Sequence, residues 1–231
     1  MVAAVPVAWR RAVRIIRSRF PPIDLFEDIA DPADWPLLIA AEQKTNPRLV
    51  DSIGAIDRVP PQRRVSGPGA SYLMAPFVHA SRDRPSRFGD GSFGVLYAGR
   101  AFETALFETM HHHARFMAAT GQPTGWEGQF REIVLDVDAT LHDFRDVPVG
   151  IGILDPDDLT AGQTLGADLR AAGADGVVYP SVRHAGGECV GLFYPDCASD
   201  AVQGRHLDYH WNGARVDLYR DAGAKSVFRV V

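Results

Sequence analysis

The chain has 231 residues, 46% of them hydrophobic, and a formal net charge of −5. That length suits one large domain or two small ones, and the composition is that of an ordinary globular protein with a real core. The acidic balance argues against nucleic-acid binding as the main task, and no apolar run approaches the ~20 residues of a membrane span.

In the first half of the chain the pattern predicts few regular elements. Residues 9–19 fit a first strand or a short basic helix. Asp31 and Pro32 favour the start of a helix that reaches about Lys44. Residues 59–70 are rich in Pro, Gly and Arg, which is typical of a loop, and 72–78 fit a short strand or turn.

From residue 93 onwards, short apolar runs alternate with two segments that have helical spacing. The clearest helix is predicted over about 104–119, and another over 160–172 with Gly173 as its C-cap. Short strands are predicted at 93–97, 130–137 with a continuation at 142–147, 176–181, 189–194 and 227–231. Strands and helices mix without a regular βαβ alternation, so we predict a single α+β domain over 1–231, with its core at about 14–195. An N-terminal segment and a C-terminal extension would flank that core.

Two further features bear on the cellular setting. Cys189 and Cys197 are too few for a disulfide framework and are interpreted as reduced thiols. The N-terminal stretch has its charges after its apolar part, whereas a signal peptide has them before it. We therefore expect a cytoplasmic protein without a membrane segment.

The stretch from Ser86 to His113 carries the polar residues of a candidate site. Arg87 is expected on a loop, Tyr97 at the end of a strand, and Glu108 one turn into a helix. Loops and element ends are where folds assemble polar sites on rigid supports. These residue types suit a ligand that carries both negative phosphates and a positive ring.

The run His111, His112 and His113 suggests a metal site. Three consecutive residues of a helix point three ways, so they do not share one ion, and no metal is expected. A metal-dependent hydrolase that uses His111–His113 stays an alternative, as does a non-catalytic nucleotide-binding module.

Several motifs together resemble the RES-domain proteins, which are named for arginine, glutamate and serine. The matching pieces are RIIRSRFPPIDLFE, TNPRL, SGPGASYLMAPF, SRFGDGSFGVLYAG, TALFETMHH and GADGVVYPSVRHAGGECV, spread from Arg14 to about Val190. Members are toxins of bacterial RES–Xre toxin–antitoxin pairs. The resemblance implies a fold akin to the diphtheria-toxin type of ADP-ribosyltransferase, with a mixed or antiparallel β core and flanking helices.

The resemblance also implies chemistry on NAD as a substrate, with loss of nicotinamide. It makes Glu108 and Arg87 the expected catalytic residues, and the expected NAD-binding residues are Arg14, Arg87, Tyr97 and Ser181. Which N-terminal arginine contacts the ligand stays open, since the alternatives to Arg14 are Arg10, Arg11, Arg17 and Arg19. A carboxylate suits this reaction because the sugar becomes oxocarbenium-like as the ring departs, and guanidinium groups suit the diphosphate.

Partners and the acceptor follow from the same resemblance. It implies an Xre-type antitoxin and a host protein substrate such as phosphoribosyl-pyrophosphate synthetase, while protein, phosphate and water all stay open as acceptors of ADP-ribose. One position departs from the family, because many relatives have a serine where this chain has Gly162 before Gln163. No role of that serine is carried over.

Overall fold

The computed structural model describes residues 2–18, Glu27, Trp35 and 54–230. Within these residues, eight strands form one mixed sheet and three α-helices pack against it. The strands are β1 (Ala4–Arg17), β2 (Leu96–Gly99), β3 (Gly125–Asp143), β4 (Gly176–Pro180), β5 (Glu188–Leu192), β6 (Ala198–Trp211), β7 (Val216–Asp221) and β8 (Ser226–Arg229). The helices are α1 (Ala70–Val78), α2 (Phe102–Ala119) and α3 (Thr160–Ala171). The α+β class is confirmed.

The sheet closes on itself. Its strand order is β1-β2-β5-β4-β3-β6-β7-β8, and β1 also pairs with β3 along a ladder from Ala4 opposite His142 to Arg17 opposite Phe130. The short β3–β4 pairing is parallel, and every other pairing among the described strands is antiparallel. Strands β1, β2, β5, β4 and β3 therefore form a ring, from which β6, β7 and β8 extend.

Helix α2, which carries Glu108, has its own apolar cluster. Its buried side chains Ala105, Leu106 and Met110 belong to a cluster that β1, β3, β6 and β7 complete. Helices α1 and α3 contribute to the larger cluster, through residues such as Met74 and Leu169. Each helix is held at its own place on the sheet by burial of apolar surface, which contributes a free energy of about 25 cal/mol per Å².

A bulge in β1 sets the direction of Arg14. The β1–β3 register shifts between Trp9 and Ala12, and Arg11 takes a positive φ of 60° at this bulge. Beyond it, Val13 and Ile15 point into the α2 cluster. Because side chains alternate along a strand, Arg14 points to the opposite face, towards β2.

Several predicted elements are confirmed. Residues 9–17 belong to strand β1 rather than to a basic helix, and the two clearest helices appear as α2 and α3. Gly173 follows α3 with a φ of +79°, and its N–H donates to the Arg170 carbonyl, as a C-cap glycine does. The predicted C-terminal strand is the edge strand β8.

Other predictions differ from the structure. The short strand or turn at 72–78 is wrong, because these residues form α1 with Pro76 inside the helix. The strand predicted at 130–137 does continue, but β3 ends at Asp143 rather than at residue 147. The strand predicted at 93–97 runs from Leu96 to Gly99, so Tyr97 lies within it. Strands β6 and β7 were not predicted, and the helix expected from Asp31 lies outside the described residues.

Two smaller points complete the fold. Both cysteines are free and buried. In the part of the chain that the structure describes, no helix is long and apolar enough to cross a membrane.

Candidate functional site

A serine hydroxyl holds the carboxylate of Glu108. Glu108 lies in the second turn of α2, and Ser181 directly follows β4. Ser181 Oγ donates to Glu108 Oε1 at 2.6 Å, a distance typical of a charge-assisted bond. The same Oγ accepts the backbone N–H groups of Arg183 and His184 at 3.2 and 3.0 Å. The turn after β4 therefore orients the carboxylate.

The loop that carries Arg87 is held by β2. Phe88 N donates to the Tyr97 hydroxyl at 2.9 Å, and that hydroxyl donates to Ser86 Oγ at 2.9 Å. Burial raises the pKa of Tyr97 to about 12, so its hydroxyl keeps its proton at neutral pH. On the other side of the loop, Gln163 of α3 donates to the Ser86 carbonyl at 3.1 Å. Arg87 thus extends from a loop that is fixed at both faces.

Two arginines share one short segment as their support. Arg87 Nη1 donates to the carbonyls of Ile153 and Asp155 at 3.2 and 2.7 Å. Arg183 Nη2 donates to the carbonyl of Pro156 at 2.7 Å. Because these acceptors are neutral carbonyls, they do not compensate the positive charge of either guanidinium.

Arg14 approaches the same region from β1. Its Nη1 donates to the Tyr97 carbonyl at 3.0 Å, and the Tyr97 hydroxyl is bonded to the Arg87 loop. Tyr97 therefore connects Arg14 to that loop. Burial lowers the pKa of Arg14 to about 10, which still leaves the side chain cationic at neutral pH.

The charges of the site interact with one another. Burial lowers the pKa of Arg183, Glu108 opposes that change, and Arg87 adds to it. Among the described residues, neither these two arginines nor Arg14 forms an ion pair with a carboxylate. The guanidinium groups therefore interact with Glu108 and with the nearby Asp155 and Asp157 only at longer range, without a direct ion pair.

Cys189 adds no nucleophile to this site. Burial raises the pKa of its thiol well above the usual value, and the negative charge of Glu108 raises it further. A thiol that stays protonated at neutral pH is a poor nucleophile.

The three histidines diverge, as expected for consecutive helical residues. His113 is buried with its Nδ1 2.8 Å from Arg17 Nη2, whereas His112 is exposed. Burial lowers the pKa of His111 to about 4, with Arg183 adding to the shift. Within the described ranges, no group of three or more His, Cys, Asp or Glu is placed to hold a metal ion.

A groove of about 370 Å³ lies beside this cluster but is not part of it. Its lining includes Phe107 and His111 of α2 with Val216 and Val230, and it includes none of the expected site residues. The groove surface is mostly apolar, although Arg115 and Arg215 also line it, and no carboxylate lies among its lining residues. We therefore place the site at the charged cluster.

The structure places the five site residues predicted from the sequence in one region. Ser181 is bonded to Glu108, and Arg14 and Tyr97 are connected to the Arg87 loop through the bonds described above. The two groups are neighbours, because the charges of Glu108 and Arg87 both act on the pKa of Cys189. No ligand contact of these five residues is tested, so their roles stay predictions. Glu108 lies in the second helical turn rather than the first, because α2 begins two residues earlier than predicted.

Sequence reasoning missed two groups of residues. Arg183 and His184 were quoted only as part of a motif, although Arg183 is the second guanidinium near Glu108. Gly166 was the other omission, and Gly162 was named only as a departure from the family, although both lie directly against the loop that carries Arg87. Their spacing of four residues was a usable signal, because glycines at i and i+4 share one helix face and permit close packing.

Comparisons with known proteins agree on the family. The family model described as "RES domain" matches residues 61–212, which is more than half of the chain. A protein of Sinorhizobium fredii (strain NBRC 101917 / NGR234), named "Uncharacterized protein y4oC", is 30% identical over 218 residues, which cover 91% of this chain and 88% of the relative.

One solved structure is also similar. A chain of the M. tuberculosis MbcT-MbcA toxin-antitoxin complex aligns over 89% of this chain and 86% of its own length, with 13% identity and a TM-score of 0.46. A likeness at that level carries no argument about function.

Proposed function

This chain belongs to the RES domain family, and from that premise we propose that it breaks the nicotinamide–ribose bond of NAD and transfers the ADP-ribose. One observation carries the proposal. Arg14, Arg87 and Arg183 form no ion pair with a carboxylate among the described residues. Arg183 lies close enough to interact with the charges of both Glu108 and Arg87. Such a pattern suits a ligand with a negative diphosphate and a positive ring.

Glu108 is the proposed catalytic carboxylate. When the pyridine ring leaves as a neutral group, positive charge develops on the ribose, as it does in glycoside hydrolysis. A carboxylate that is already oriented stabilises this charge without having to reorganise, an effect worth about 3–4 kcal/mol per group in well-studied sites. Ser181 holds Glu108 in one orientation at 2.6 Å, which meets that requirement.

The arginines are the proposed diphosphate-binding groups. Each is anchored to one or two main-chain carbonyls, and its remaining donors have no hydrogen-bond partner among the described residues. A guanidinium has five N–H donors in a planar fork that matches phosphate oxygens. Arg183 is added here to Arg14 and Arg87, and Tyr97 is proposed to line the pocket beside them.

The acceptor and the partner are also proposals. Protein side chains, phosphate and water would all attack the same sugar carbon once nicotinamide leaves, with a host protein such as phosphoribosyl-pyrophosphate synthetase among the candidates. We propose that the enzyme is a cytoplasmic toxin that arrests growth, and that an Xre-type antitoxin silences it. An acidic group of the antitoxin would pair well with the arginines at the pocket.

The test is nicotinamide release by the purified protein. Incubation with NAD, with and without phosphate and cell extract, should release nicotinamide, and mass spectrometry of the products would identify the acceptor. Glu108→Gln should lower kcat about 10²- to 10³-fold, since it removes the charge but keeps the shape. Glu103→Gln is the matched control, because Glu103 is exposed in the first turn of the same helix.

Two results would refute the proposal. One is the absence of nicotinamide release from the folded wild-type protein under all these conditions. The other is full activity of the Glu108→Gln variant.

A further inference from the structure

The hydroxyl of Ser181 has all its hydrogen-bonding capacity engaged inside the protein. Ser181 is 4% exposed, and its Oγ accepts from the N–H groups of Arg183 and His184. A serine hydroxyl has one hydrogen and two acceptor lone pairs. With both lone pairs facing N–H donors, the remaining hydrogen points at Glu108 Oε1.

We propose that Ser181 is a positioning residue that fixes the catalytic carboxylate, and that it neither contacts NAD nor attacks it. This inference rests on the proposed function, and it differs from the ligand contact that the family resemblance implies. Among the described residues, no group donates to the other oxygen of Glu108, Oε2. One oxygen is thus held by Ser181, and Oε2 is left to face the ribose.

His184 anchors the turn that does this positioning. Its Nδ1 lies 3.0 Å from Thr104 Oγ1, and its ring stacks on Phe107 with centroids 5.1 Å apart and planes 8° apart. Thr104 precedes Glu108 by four residues, so both lie on the same face of α2. The turn is therefore fastened to the helix that carries the carboxylate.

A glycine makes this anchoring possible. A β-carbon on Gly187 would lie 2.6 Å from Thr104 Oγ1 and 2.8 Å from His184 Nδ1, closer than real contacts allow. Gly187 also accepts the N–H of Ser181 and donates to the His184 carbonyl. Residues 181–187 thus form a hydrogen-bonded turn that packs against α2. This packing fixes the direction of the Ser181 hydroxyl.

A nucleophilic role for Ser181 fits this geometry poorly. Glu108 is placed where a general base would be, but attack on a sugar carbon needs a lone pair that faces the substrate. Both lone pairs of Oγ face backbone N–H groups of its own turn. The same bonds make the hydroxyl a better donor to Glu108.

The test compares kinetics and binding of Ser181→Ala with the wild-type protein. Loss of a hydrogen bond to a charged group should lower kcat about 10- to 100-fold, while the Kd for NAD changes less than about 3-fold. The acid limb of the kcat/KM profile should move to higher pH, because the ionised carboxylate loses a donor. Ser81→Ala is the control, since its hydroxyl also accepts a backbone N–H but contacts Asp83 rather than Glu108.

Two outcomes would overturn the inference. A Kd for NAD raised more than about 10-fold with an unchanged kcat would make Ser181 a ligand contact. A covalent ADP-ribose adduct on Ser181, seen by intact-protein mass spectrometry, would make it the nucleophile.

A readout without NAD separates this inference from the proposed function. In protein labelled with ¹³C-glutamate, the side-chain carboxyl signal that disappears in Glu108→Gln belongs to Glu108. Its titration should move to higher pH in Ser181→Ala even if NAD proves not to be the substrate. An unchanged titration would overturn the positioning role, whereas inactivity of the wild-type protein alone would overturn only the function.

Discussion

Gly162 of α3 lies directly against the main chain of Arg87. A β-carbon at Gly162 would lie 2.4 Å from the Arg87 carbonyl oxygen, and one at Gly166 would lie 2.0 Å from that of Phe88. Both values are far below an ordinary van der Waals contact, so the helix fits against the loop only because both positions are glycine. Glycine at position 162 is therefore required by the packing of α3 against this loop.

The first prediction concerns the replacement of Gly162 by serine. Gly162→Ser should displace the Arg87 loop and lower kcat/KM for NAD at least about 10-fold, since small misplacements of positioning groups are costly. Ala161→Ser is the control, because Ala161 is the exposed neighbour on the same helix. Nicotinamide release and Tm would be measured for both. Full activity of Gly162→Ser would show that the loop adapts without cost.

The sequence predicted the elements whose signals are local. Helix α2 has a regular apolar face, and Gly173 ends α3 with the residue type that a positive φ requires. Helix α1 was missed because Pro76 suggests a break. Its backbone nevertheless stays helical, and the buried side chains Met74 and Phe77 pack it into the larger apolar cluster. Tertiary packing overrode the local signal there.

The candidate site was less predictable for a different reason. Residue types and family motifs point to Glu108 and Arg87, but the bonds that orient them join residues far apart in sequence. Ser181 is 73 residues from Glu108, and Asp155 is 68 residues from Arg87. Arg183 is distinguished from other arginines by the carbonyl that it contacts in the folded protein. Its neighbours in the sequence therefore do not identify it as a site residue.

The second prediction tests the arginines as diphosphate-binding groups. Arg183→Met should raise the Kd for NAD about 10- to 100-fold, because one charged hydrogen-bonding partner of the ligand is lost. Arg87→Met should act in the same direction and also free the Ile153 and Asp155 carbonyls. Both substitutions should change the Kd less for nicotinamide riboside, because that molecule lacks the diphosphate.

Arg115→Met is the control for a general loss of positive charge. Arg115 is exposed on α2 and close enough to influence Arg183, but it is not bonded into the cluster. Isothermal titration at two salt concentrations would separate contact from screening. Equal losses of affinity in Arg115→Met and Arg183→Met would contradict a direct contact.

The third prediction concerns the hydroxyl of Tyr97. Tyr97→Phe removes the acceptor of Phe88 N and the donor to Ser86, so it should lower the free energy of unfolding by about 1–2 kcal/mol. It should also reduce activity by loosening the Arg87 loop. Tyr72→Phe is the matched control, because within the described ranges the Tyr72 hydroxyl makes one exposed bond, to Gln203 at 3.2 Å. Urea unfolding of both variants would check this, and equal stability losses would contradict a special role for Tyr97.

The last prediction concerns stability in acid and centres on His113. Burial lowers the pKa of this residue from 6.5 to about 4, and the charge of Arg17 adds to the shift. Because Arg17 only donates, His113 Nδ1 accepts its bond at 2.8 Å and the ring is neutral when folded.

Between pH 6.5 and 4 the unfolded chain therefore binds a proton at His113 that the folded protein does not. The free energy of unfolding should fall as pH drops through this window, and most of the loss should be complete near pH 4. At about 1.4 kcal/mol per pH unit, the share of His113 between pH 7 and pH 4.5 is on the order of 2 kcal/mol.

The measurement is urea unfolding at pH 7 and pH 4.5 for the wild-type protein and His113→Gln. The variant should lose less stability between the two pH values, because glutamine keeps hydrogen-bonding groups but does not titrate. His206→Gln, at an exposed position of β6, is the control and should behave as the wild-type protein does. Carboxylates contribute equally to all three proteins, so the difference isolates His113, and an identical loss in His113→Gln would show that the buried ring does not govern acid stability.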